Sequence, residues 1–202
     1  MNRWRTTFLL LLAGLGLGCF GKTPVHRVWS LQAEDDAVVT TRTAPSLGLA
    51  HFTSDAPLRT TKLTWREGDG RELRQYGYHS WSDYPDRMLE ELTRRSFEAS
   101  GDFSRVDVLP PAQGHDAILR CRLVRFHESQ RADAHEVQVS VRWRLTTPGG
   151  TPIDSDRTDA TAPVKAGNVE AVIDAYDEAT HALVTKLREQ VLASLAKAKS
   201  ES

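Results

Sequence analysis

The sequence predicts an α+β domain of two layers, with a mixed or antiparallel sheet of six or seven strands packed against two main helices and preceded by a signal peptide. Three observations predict this class. Apolar residues alternate strictly with polar ones over residues 135–145. Apolar residues recur every three or four positions over residues 168–199. The third observation is a shorter amphipathic segment that separates two groups of strand-like runs.

The N-terminal segment is too short to span a membrane. Residues 8–18 are eleven uncharged, mostly apolar residues that follow Arg3 and Arg5, whereas a spanning helix needs about 20. A basic start, a short apolar core and small residues at its end are typical of a secretory leader. We therefore expect residues 1–18 to be a signal peptide.

The end of this segment predicts a site of lipid attachment. Gly16 and Gly18 run directly into Cys19, which resembles the lipobox of bacterial lipoproteins, although Gly16 stands where that motif usually has Leu. The resemblance implies a lipoprotein signal peptide, lipid on Cys19 and a lipidated N-terminus and short tether over residues 19–27. The alternative is a conventional signal peptide. Phe20 in place of the Asp that retains enterobacterial lipoproteins in the inner membrane favours the outer membrane.

The composition favours one domain. Removal of residues 1–18 leaves 184 of 202 residues and moves the formal net charge from −1 to −3. The 26 basic and 27 acidic side chains are interspersed, so the sequence predicts no groove for nucleic acid. We expect a single domain over residues 28–197 and a frayed tail over 198–202.

The strands of the first half are short and separated by turn-forming residues. Runs rich in β-branched and aromatic residues predict five strands. They lie at residues 27–33, 46–52, 58–67, 71–81 and 103–109.

A helix interrupts these strands at residues 82–101. Pro85 suits its first turn, Asp86 its positive end and Gly101 its C-terminal cap. Its predicted apolar face comprises Met88, Leu89, Leu92, Ser96 and Ala99, and Phe103 is expected to pack beneath its end.

The second half predicts an antiparallel meander and a long helix. Residues 116–126 and 135–145 are expected to pair across "HESQRADA", with a further strand near residues 152–163. Asn168 is a good N-cap for the final helix. Its apolar positions favour packing against the sheet over a coiled coil: Val172, Tyr176, Ala179, Leu183, Leu187 and Val191.

The order of these pieces resembles a known family. A lipobox is followed by "VWSL", a "LGL"-type strand and "HSWSDYPDRMLEELTRRSFEASGDFSRV", an order similar to that of the ABC-type transport auxiliary lipoproteins, which include the paraquat-inducible C lipoprotein. Trp29 stands in the first strand where those relatives often have Tyr, and the second strand lacks their usual "VGPV" motif.

This resemblance implies a non-enzymatic accessory subunit of an envelope lipid-transport system, on the periplasmic side of a Gram-negative outer membrane. Its implied partners are the outer membrane, through N-terminal acyl chains, a mammalian-cell-entry-domain protein, and an ABC permease and ATPase. Only Cys19 carries over a chemical role, whereas Trp81 and Pro85 match structural positions. The alternative is a structural or assembly lipoprotein of another envelope complex. The oligomeric state, including self-association, stays open.

The residues themselves predict no catalytic, cofactor or metal site. His79 and Ser80 are adjacent but lack the surroundings of a nucleophile. Asp154, Asp156 and Asp159 lack the glycine and closing glutamate of a calcium loop, and the seven histidines lack zinc spacing. Cys121 lies on an apolar strand face and is expected to be a small core residue.

Overall fold

The structure is a computed structural model that describes residues 24–32, 44–68, 70–110 and 114–200. The predicted signal peptide and Cys19 lie outside the described residues. The described chain contains nine strands, one 3₁₀ helix and two α-helices, in this order: β1 (Arg27–Trp29), β2 (Ser46–Leu49), β3 (Thr53–Ser54), the 3₁₀ helix (Ala56–Leu58), β4 (Lys62–Glu67), β5 (Arg74–Trp81), α1 (Pro85–Ala99), β6 (Arg105–Val108), β7 (Ala117–Gln130), β8 (His135–Thr146), β9 (Pro152–Pro163) and α2 (Val169–Ser200).

All nine strands belong to one curled, mixed sheet organised around β7. One edge of β7 pairs with β8 in antiparallel fashion over twelve residue pairs, and β9 continues the meander beyond β8. The other edge of β7 pairs in parallel with β2, then β3, then β4. Strand β6 extends the sheet beyond β2, and β5 and β1 extend it beyond β4. The predicted α+β class, mixed sheet and second-half meander are therefore confirmed.

Strand β7 is longer than predicted. It continues through His127–Gln130, which the sequence places in a connector because these residues are polar. They remain in the strand because β4 and β8 pair with it there and because the Glu128 side chain accepts hydrogen bonds from Tyr76 of β5 and His135 of β8.

Strand β8 forms much of the core. Its predicted apolar residues, Val137, Val139, Val141, Trp143 and Leu145, are all at most 3% exposed. On β7, Cys121 is buried with Ala117, Leu119 and Leu123 on the same face of the sheet as these residues of β8, as the sequence predicts.

Helix α1 begins at Pro85 as predicted, but the buried face differs from the predicted one. Leu89, Leu92, Thr93 and Phe97 are buried, whereas Ser96 and Ala99 lie at the margin. The Phe97 ring stacks on Phe103 with centroids 5.3 Å apart, so the segment after the helix determines which face turns inward. Gly101 adopts a positive φ of 71°, which suits the end of a helix.

Helix α2 packs against β8 and β9 and contacts α1. Asn168 Oδ1 accepts a hydrogen bond from the Ala171 backbone amide at 3.1 Å, which confirms the predicted N-cap. All six predicted core positions of the helix are buried. The helix continues to Ser200, three residues beyond the predicted end of the domain.

Candidate functional site

Trp81 and Pro85 lie where β5 meets α1, and both are buried. The Trp81 ring packs edge-on against Phe126 and Tyr176, with centroid distances of 5.4 and 4.9 Å. Since these rings come from β5, β7 and α2, the cluster joins the first half of the sheet to the final helix. This arrangement agrees with a structural role for Trp81.

Ser80 has a histidine neighbour that the sequence does not reveal. Parallel pairing of β1 with β5 brings His26 close, and its Nε2 lies 3.1 Å from Ser80 Oγ and 3.3 Å from Lys62 Nζ. A lysine ammonium on the same nitrogen competes with the serine proton for the lone pair that a general base uses. The adjacent His79 instead accepts a hydrogen bond from Trp29 Nε1 at 3.1 Å. These contacts form a polar cluster that joins β4, β5 and the residue preceding β1.

The Cys121 thiol is a core group. It is 4% exposed, and burial, together with the negative charge of Glu90, raises its pKa well above the usual range. Because the thiolate is the reactive form, this environment disfavours nucleophilic or redox chemistry.

Two of the three aspartates of "DSDRTD" form separate interactions. Asp154 accepts hydrogen bonds from Ser194 Oγ at 2.6 Å and from the Ser155 amide at 2.8 Å, and these lower its pKa. Asp159 pairs with Arg157. Within the described ranges, no group of three His, Cys, Asp or Glu residues is arranged to hold a metal ion.

A buried carboxylate that sequence analysis does not single out lies near the C-terminal end of β7, the strand around which the sheet is organised. Glu128 is 1% exposed. Its Oε2 accepts a hydrogen bond from the Tyr76 hydroxyl at 2.6 Å. Its Oε1 accepts from Gln130 Nε2 at 2.7 Å and from His135 Nε2 at 2.5 Å. Both oxygens accept hydrogen bonds from side chains of the protein, and the cluster connects β5, β7 and β8.

An apolar groove runs along the C-terminal half of α2. Its volume is 690 Å³, within the range of small-molecule sites. Apolar side chains form its walls, and one acid and one base lie beside them: Pro45, Ile153, Leu192 and Leu195, with Asp116 and Lys199. The Asp116 carboxylate accepts hydrogen bonds from the Ser46 amide and hydroxyl, both at 2.7 Å. These hydrogen bonds lower the pKa of Asp116. The groove therefore suits an apolar group better than a polar substrate.

Among the helices that the structure describes, none is both long and apolar enough to cross a bilayer. Cys19, the predicted lipid attachment site, lies outside the described residues, and its acylation stays a prediction.

The fold resembles solved bacterial structures. A Xanthomonas campestris protein of the DUF330 family superposes with a TM-score of 0.75 at 17% identity, covering 87% of this chain and 99% of that one. A hypothetical protein from Chlamydia trachomatis superposes with a TM-score of 0.51 at 8% identity, covering 75% of this chain and 98% of that one. At these identities the likeness concerns the fold alone. No curated protein matches the sequence.

A family model matches most of the described chain. The model is that of the ABC-type transport auxiliary lipoprotein component, and it spans residues 29–187, from β1 to the middle of α2. The match therefore includes every strand of the sheet except the first two residues of β1. The chain belongs to the ABC-type transport auxiliary lipoprotein component family.

Proposed function

We propose that this chain is a non-enzymatic, lipid-anchored accessory subunit of an ABC-type system that moves lipid through the cell envelope. The family match over residues 29–187 carries the proposal. The partners would be an inner-membrane permease and ATPase and a mammalian-cell-entry-domain protein. No cofactor or metal is part of the proposed role.

The proposed anchor is Cys19, on the periplasmic face of the outer membrane. Two or more acyl chains are enough for stable attachment to a bilayer. Nine residues, 19–27, extend to at most about 30 Å. The tether ends at β1, where Arg27 forms an ion pair with Glu170 of α2. A domain over residues 28–197 would therefore stay close to its membrane.

The first experiment tests the anchor by intact mass and membrane fractionation. We expect the wild-type protein to begin at residue 19, carry three acyl chains and fractionate with the outer membrane. Cys19→Ala should lose the acyl mass and leave the membrane. Cys121→Ala is the matched control, because it removes the buried cysteine and should keep the acyl mass. A soluble product without acyl chains in the wild type would contradict the anchor.

The second experiment tests the partners by affinity purification from detergent-solubilised membranes. We expect a permease or a mammalian-cell-entry-domain protein to co-purify with the wild type and not with Cys19→Ala. Recovery of a different envelope complex without these proteins would favour a structural or assembly lipoprotein instead.

A further inference from the structure

Five arginines form a cationic surface on β7, β8 and β9, which we call the arginine face. The register places Arg120 opposite Arg144 in one row. In the adjacent row it places Arg122 opposite Arg142, which in turn lies opposite Arg157. Side chains directly opposite one another point to the same side of a sheet, so all five project from one surface.

This surface lies on the side of the sheet away from the helical layer. Side chains alternate along β8, and Trp143, between Arg142 and Arg144, belongs to the buried core. Four of the five arginines are exposed, and Arg157 is partly exposed. They line a shallow groove of 610 Å³ together with Thr53, Ser155 and Asp156.

Most of the positive charge on this face is not neutralised. Arg122 pairs with Asp55, and Arg157 pairs with Asp159. Arg120 donates a hydrogen bond to the Thr146 hydroxyl at 3.1 Å. Within the described part of the chain, no carboxylate lies at ion-pair distance from Arg120, Arg142 or Arg144. Like charges directly opposite each other destabilise a sheet, so the arrangement favours an anionic ligand that relieves the repulsion.

We propose that the arginine face docks the domain onto the headgroups of an anionic phospholipid bilayer. Guanidinium groups bind phosphate oxygens through two parallel hydrogen bonds. Five of them on a surface about three strands wide, or about 10 Å between the outer two, can contact several headgroups at once. Each basic side chain near an anionic bilayer adds favourable electrostatic free energy.

The chemistry of the face favours a bilayer over a protein partner. Protein interfaces have an apolar, aromatic-rich centre. Among the described residues, the exposed large hydrophobic side chains are Val25, Val28, Tyr78 and Tyr84, and none belongs to β7, β8 or β9. Headgroup binding needs no such centre. This contact is distinct from the proposed acyl anchor at Cys19 and does not depend on it.

The test uses the predicted mature chain, residues 19–202, carrying Cys19→Ser, so that neither acyl chains nor the apolar leader can contribute. Binding is measured by co-sedimentation with vesicles of phosphatidylcholine alone and with vesicles containing 30% phosphatidylglycerol. The face variant combines Arg120→Gln, Arg142→Gln and Arg144→Gln. The control variant combines Arg71→Gln, Arg87→Gln and Arg95→Gln, which removes the same charge from exposed positions outside β7–β9.

We expect preferential binding to the anionic vesicles that falls as salt is raised. The face variant should bind the anionic vesicles about 100-fold more weakly, at roughly fivefold per arginine. The control variant should bind them almost as tightly as the protein that keeps all its arginines. Equal binding to both vesicle types, or equal losses in the two variants, would overturn the proposal. Binding of polyglutamate through this face without binding of anionic vesicles would also overturn it, in favour of an acidic protein partner.

Discussion

Tyr76 donates a hydrogen bond of 2.6 Å to Glu128, a carboxylate of β7 that is 1% exposed. Burial and this carboxylate raise the pKa of Tyr76 above its ordinary value, so the hydroxyl keeps its proton at neutral pH and acts as the donor. A hydrogen bond to a buried charge matters because an unpaired buried carboxylate is costly.

Tyr76→Phe should therefore lower the free energy of unfolding by about 1.5–3 kcal/mol, measured by denaturant titration. Tyr78→Phe is the matched control on the same strand, because Tyr78 is 51% exposed, and it should change stability by less than about 0.5 kcal/mol. Equal effects of the two substitutions would show that the Glu128 cluster adds little.

His127 should make stability depend on pH. Burial, with the nearby charges of Arg66 and Arg125, lowers the pKa of His127 from 6.5 to about 4. The folded state therefore favours the neutral ring. Its contribution is complete above about pH 6.5 and is lost as the pH falls towards 4, because the unfolded chain takes up the proton first. The loss is at most about 3 kcal/mol.

His127→Gln should flatten the pH dependence of the unfolding free energy between pH 6.5 and 4. His51→Gln is the control, because the His51 side chain is 69% exposed, and it should leave most of the slope in place. An unchanged slope in His127→Gln would contradict the assignment of this proton to His127.

A side chain at Gly48 should crowd the neighbouring His115 and Leu109 side chains. A Cβ atom there would lie 3.0 Å from His115 Cδ2 and 3.2 Å from Leu109 Cδ1. Gly48→Ala should therefore cost about 1–3 kcal/mol through overpacking, measured by thermal or denaturant unfolding. Gly77→Ala, in β5, has no atom within 4 Å of the new Cβ and should be neutral or stabilising. Similar costs at both positions would indicate a general backbone effect.

Arg142 should reduce stability, since it faces Arg122 on one side and Arg157 on the other. Arg142→Gln should stabilise the fold by about 0.2–1 kcal/mol, and the gain should shrink as salt screens the repulsion. Arg122→Gln is the comparison, because it also removes the ion pair with Asp55. A destabilised Arg142→Gln protein would mean that the arginines do not repel one another.

The sequence predicts the long periodic elements well. The six apolar positions of α2 are all buried, because a helix of 32 residues repeats its pattern often enough to fix the buried face. In α1 the predicted face is rotated from the observed one, because a contact with the segment after the helix, the stack of Phe97 on Phe103, determines the packing. Strand β3 has two residues, too few to carry any periodic signal.

The arginine face and the Glu128 cluster depend on strand register and on pairings between distant residues, which alternation alone does not specify. "RCR" at 120–122 and "RWR" at 142–144 are visible in the sequence, but only the register between β7 and β8 makes them opposite rows. Likewise, Tyr76 is 52 residues from Glu128, and a glutamate among polar residues gives no sign that it is buried.

The position of β7 has a consequence for the order in which the chain can acquire its structure. β2, β3 and β4 do not pair with one another in the described sheet; each pairs with β7, which begins only at Ala117. A growing chain therefore presents three strands before their common partner has been synthesised, and the contacts that join them span tens of residues. Such non-local pairing makes folding slow. The first 116 residues would thus remain without their central strand until the second half of the polypeptide has emerged.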